Sequence, residues 1–76
     1  MMSFVLMTYD LYQPAFLREH NGTHYAQPYL DHATRFDTQE QAETKLALIS
    51  GGRNAPTFIV TPFADAAAYP GVLLHR

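Results

Sequence analysis

Seventy-six residues leave room for one small domain, and 47% hydrophobic with 16% charged residues is the composition of a chain that folds around a core rather than staying disordered. Seven acidic against five basic residues give a net charge of −2, which four protonated histidines would bring to about +2. Neither the basic excess of a domain that wraps nucleic acid nor the heavy acidity of a nucleic-acid mimic is present.

Cysteine is absent from the sequence, so disulfides, iron–sulfur clusters and cysteine zinc sites are excluded and a reducing cytoplasm is the expected setting. The run Phe4-Val5-Leu6-Met7 is too short for a membrane span and lacks the basic flank of a signal peptide.

In chain order, Ser3–Tyr9 reads as a largely buried strand closed by Asp10. After Pro14, Ala15–His20 and Thr23–Gln27 flank Asn21-Gly22, the dipeptide best suited to a type I′ turn, which is also the simpler reading of the glycosylation triplet Asn21-Gly22-Thr23. The implied register sets His20 against Thr23, Glu19 against His24, Arg18 against Tyr25 and Leu17 against Ala26. One hairpin face then carries Phe16, Arg18, His20 and Tyr25, the other Leu17, Glu19, His24 and Ala26. Both mix apolar and polar groups, so the pattern alone does not choose a core face.

Thr38-Gln39-Glu40-Gln41 is a capping box, and Ala42, Leu46 and Ile49 follow at helical spacing up to Gly51-Gly52, predicting a helix over Gln39–Ser50. Leu48 lies well off that apolar stripe. The loop Arg53–Pro56 leads to Thr57–Phe63, whose segment Thr57–Thr61 is a β-branched strand ended by Pro62. The tail Ala64–Arg76 is alanine-rich, turns at Tyr69-Pro70-Gly71 and offers Val72-Leu73-Leu74 as a short edge strand. The whole is an α+β domain: an antiparallel sheet of three to five strands with a single helix on one face.

Chemistry-bearing constellations are sparse. His20, His24 and His32 invite a metal, but the hairpin register puts His20 and His24 on opposite faces, and Glu19 is the natural partner of His24, so no metal site is expected. Asp31, His32, Arg35 and Asp37 could supply acid–base groups, yet no nucleophile elbow or phosphate-binding glycine loop accompanies them, and neither enzyme activity nor a cofactor is expected. Arg18, Arg35 and Arg53 with Tyr12, Phe16, Tyr25 and Tyr29 could form a stacking surface for single strands, although strand aromatics more often pack. What remains is a docking surface for another macromolecule: the hairpin set Arg18, His20, Tyr25 and Tyr29, or the acidic helix edge of Asp37, Glu40 and Glu43 with the stray Leu48.

The segment Ala33-Thr34-Arg35-Phe36-Asp37-Thr38-Gln39-Glu40-Gln41-Ala42 resembles an A-x-x-F-x-T-x-x-x-A lead-in common in small phage and mobile-element proteins, where it opens the single helix of a β-β-α-β unit. The likeness spans Tyr29 to Phe63 and rests on caps and core positions. Several small anti-CRISPR proteins are similar in size, cysteine poverty and architecture. The resemblance implies a non-catalytic inhibitor in the host bacterial cytoplasm that docks on a ribonucleoprotein effector and occludes its nucleic-acid site. At net −2, such inhibition would rely on shape and a few anchors. The alternative is an accessory or regulatory domain of a phage or bacterium, dimerising or binding nucleic acid.

Overall fold

The computed structural model describes residues 2–9, 13–49 and 57–74. Its element order is β1 (Phe4–Thr8), β2 (Ala15–His20), β3 (Thr23–Gln27), a single 3-10 turn (Leu30–His32), α1 (Gln39–Ile49), β4 (Ile59–Pro62) and α2 (Phe63–Ala68). The four strands form one antiparallel sheet in the order β3-β2-β1-β4. The expected α+β architecture is present, with α1 on one face of the sheet.

The hairpin has the register anticipated from its turn, from His20 opposite Thr23 to Leu17 opposite Ala26. Asn21 and Gly22 take φ of 52° and 79°, the two positive values a type I′ turn needs. The ambiguity of the hairpin faces has a physical answer: the sheet is covered on both. On one face Val5, Met7 and Phe16 pack with Leu30, Ala33 and Ala66, flanked by Phe63 and Val72. On the other Phe4, Leu6 and Leu17 pack with Phe36 and Ala42, flanked by Leu46, Ile49, Phe58 and Val60. A central strand buried on both faces loses the alternation of a half-buried one, which is why β1 is an uninterrupted apolar run. The proximal half of β2 is buried in the same way, while Glu19 and His20 extend beyond both layers.

The strands β1 and β2 pair only near Met7–Phe16 and Thr8–Ala15, then splay. The wedge between them is filled by the segment leading to α1: Thr34 N–H donates to Leu17 O at 3.0 Å, and Phe4 and Phe36 exchange two backbone bonds of 2.9 Å. Glu19 N–H donates to Thr34 Oγ1 at 2.8 Å. The bonds at Phe4 and Leu17 satisfy strand groups that would otherwise be buried without partners.

At the start of α1, Gln41 N–H donates to Thr38 Oγ1 at 3.1 Å, as a capping box requires. Its reciprocal half lands one residue early, Gln41 Oε1 accepting from Asp37 N–H at 3.0 Å. The predicted end at Ser50 and the Gly51-Gly52 stop lie outside the described residues, as do Asp10, Tyr12 and the Arg53–Pro56 loop. Strand β4 begins at Ile59, two residues later than predicted. Pro62 closes it at no cost in hydrogen bonds, because Phe4 opposite spends its backbone groups on Phe36.

The alanine-rich stretch read as a tail is the second helix, α2, which buries Ala66 against the β1 face opposite α1. The proposed final strand reduces to one parallel bridge between Leu73 and Tyr29, with Leu30 N–H donating to Leu73 O at 2.9 Å. No helix among the described residues is long and apolar enough to cross a membrane.

Candidate functional site

The four hairpin candidates divide into two structural and two exposed residues. Arg18 reaches from β2 to the 3-10 turn, where its guanidinium donates to His32 O at 2.8 Å. Tyr29 is half-buried, its ring 5.8 Å from that of His32. Arg18 thereby ties the turn to the sheet, whereas the Tyr29 ring contact lies within the turn segment. His20 and Tyr25 are exposed, Tyr25 at 43%, on the protruding half of the hairpin.

The acidic helix edge also divides. Glu40 and Leu48 line one open groove of about 590 Å³ with Phe36, Thr38, Gln41, Thr44 and Lys45. Glu43 lies around the helix from Leu48 and accepts from Gln39 Nε2 at 3.4 Å. Asp37 is exposed ahead of the first turn, its backbone N–H held by Gln41. Leu48 is 74% exposed, the most exposed large apolar side chain among the described residues.

The sequence reading missed Lys45. Its Nζ donates to Glu19 Oε2 at 2.6 Å, and the same oxygen meets His24 Nε2 at 2.6 Å. One carboxylate thus ties α1 to both strands of the hairpin through Lys45, itself a lining residue of the groove. The hydrogen bond from Lys45, then that from His24, holds the Glu19 carboxyl below its ordinary pKa. The Glu19–His24 half follows from the hairpin register. The Lys45 half depends on how α1 lies across the sheet, which residue spacing does not encode.

The supposed base-stacking set does not assemble on one surface. Phe16 is interior and Arg18 is spent on His32 O. Arg35 lies over the Phe63 ring with its guanidinium carbon 3.7 Å from the centroid. The described members of the supposed base-stacking set therefore do not share an exposed platform. Among the described residues no three of His, Asp and Glu converge as metal ligands would. Compared with protein-family models, with curated proteins and with solved structures, the chain matches none.

Proposed function

We propose that the protein works without catalysing a reaction, by docking through the α1 groove onto another protein, and that its partner is a host ribonucleoprotein effector whose nucleic-acid site it blocks. The observation that supports the docking surface is Leu48. A helix of this domain places a leucine at 74% exposure in the lining of a groove it shares with Phe36 and Lys45. Nothing in α1 needs leucine there for packing, since Ala42, Leu46 and Ile49 make its contact with the sheet. Interfaces concentrate their energy in a few such anchors surrounded by polar groups that exclude water. The choice of partner rests on the likeness to small anti-CRISPR proteins in size, cysteine poverty and architecture. The β3 edge of the sheet, which no strand pairs among the described residues, favours the second reading, a dimerising accessory domain.

The test is co-elution in gel filtration with a panel of CRISPR surveillance complexes, using wild type, Leu48→Ser and Tyr25→Ala. Exposed substitutions of this kind change stability by no more than about 0.5 kcal/mol, so lost binding reports the surface. The expected result is a complex with wild type and Tyr25→Ala that Leu48→Ser weakens at least about 30-fold, the loss of an anchor of roughly 2 kcal/mol. Binding that survives Leu48→Ser and fails with Tyr25→Ala moves the site to the hairpin, and no complex with any member overturns the inhibitor assignment. Binding through Leu48 is insensitive to salt, whereas binding through Asp37, Glu40 and Glu43 falls steeply as ionic strength rises.

A further inference from the structure

The two edges of the sheet are not equivalent. On β4, backbone groups alternate: Phe63 N–H reaches back to Ser3 O at 2.8 Å, so the groups of Thr61 and Ile59 also face β1 and those of Val60 and Pro62 face outward. Pro62 has no N–H to offer, and the strand is four residues long. This is a blunted edge of the kind that resists pairing.

The β3 edge, Thr23-His24-Tyr25-Ala26-Gln27, carries no proline, lysine or bulge, and neither helix packs substantially against it. A two-residue turn makes His20 and Thr23 a hydrogen-bonded pair, so Thr23, Tyr25 and Gln27 bond inward to β2. His24 and Ala26 therefore present their N–H and C=O groups outward, and β3 is the last strand of the sheet.

We infer that β3 pairs antiparallel with β3 of a second copy, with Tyr25 on the two-fold axis, joining two sheets into one. The register follows from the outward groups. An axis at Tyr25 sets His24 against Ala26 of the partner subunit and Thr23 against Gln27 of the partner subunit, so all five residues of the strand pair and every outward group is used. An axis at His24 pairs only Thr23, His24 and Tyr25, makes half as many hydrogen bonds and sets two imidazoles directly opposite. An axis at Ala26 pairs only Tyr25, Ala26 and Gln27 and brings Pro28 against His24. The Tyr25 register also places no like charges across from one another, and it brings the two exposed Tyr25 rings together at a non-hydrogen-bonded position, where side chains lie closest. The occupant that matches this strand along its whole length is the strand itself. Because the axis stands perpendicular to the sheet, both α1 helices fall on one face and the dimer offers two Leu48 grooves side by side. The pairing does not depend on what those grooves bind.

Sedimentation over a concentration series tests the pairing, together with cross-linking of single cysteines placed in a chain that has none. Wild type is expected to double in mass with rising concentration. Ala26→Pro removes an outward N–H without touching the bonds to β2, and is expected to weaken the dimer at least about tenfold, the loss of roughly 1.4 kcal/mol. Tyr25→Cys is expected to give a disulfide-linked dimer on oxidation, and Ile59→Cys on the β4 edge is not. If Ala26→Pro fails to fold, the Tyr25→Cys and Ile59→Cys comparison still decides. A wild type that stays monomeric at every concentration overturns the inference and leaves the edge to a strand of another protein; a dimer that Ile59→Cys cross-links as readily as Tyr25→Cys also overturns it.

Discussion

Glu19 Oε2 receives hydrogen bonds from Lys45 Nζ and His24 Nε2, so a single carboxylate joins three elements, β2, β3 and α1. Its folded pKa lies below the ordinary value, chiefly through Lys45. In acid the unfolded chain takes up this proton before the folded one does. The stabilisation is therefore fully present above the unfolded carboxylate pKa and is lost as pH falls through the lowered folded value. Glu19→Gln removes it. The gap in melting temperature between wild type and Glu19→Gln should be modest, since a third of the side chain is open to solvent. It should be present above the ordinary carboxylate range and close toward the acid end of the titration; a gap that holds unchanged in acid would place its origin in packing. This site also marks how far residue-level reading reaches. The Glu19–His24 contact was legible because a two-residue turn dictates which side chains face each other. Lys45 was not, because a helix's placement over a sheet is set by the sum of its buried contacts.

At the scale of elements, the hairpin and α1 were legible because their signals are local. Asn21-Gly22 specifies positive φ, and Thr38 with Gln41 specifies a helix start. Each can be tested where it acts. Nothing lies within 4 Å of a Cβ placed on Gly22, so Gly22→Ala meets no clash, but its φ of 79° should cost about 1–2 kcal/mol. Thr38→Ala should cost about 1 kcal/mol by freeing the Gln41 N–H. Paired urea titrations would show both as lower midpoints with unchanged slope; a Gly22→Ala protein as stable as wild type would mean that the turn does not need its left-handed residue. By contrast α2 was invisible. It has six residues, follows Pro62 without a side-chain cap, and buries a single alanine, so it shows neither the start signal nor the apolar stripe by which helices are read. The wedge segment was equally hidden, because Phe36 is held to Phe4 through main-chain groups that every residue carries.

At the scale of the molecule, the centre of stability is β1 rather than the helix. Val5, Leu6 and Met7 are fully buried and alternate between the two layers, whereas within α1 Ala42 alone is fully buried and Leu46 is half-buried. A small domain has a total stability of about 5–15 kcal/mol, so where a cavity opens decides whether the fold survives. Leu6→Ala opens one under α1 with Leu17 and Phe36 around it, at a site that cannot collapse without moving β4, which pairs with Leu6 through Val60, and should cost about 2–5 kcal/mol. Leu46→Ala leaves a space that solvent already borders and should cost less, toward the low end of the same range or below it. Denaturation in urea separates the two: the midpoint for Leu6→Ala should fall well below that for Leu46→Ala. Equal losses would mean that α1, with its groove, is as much the keystone of the fold as β1, and that variants on its outer side cannot be read as reporting docking alone.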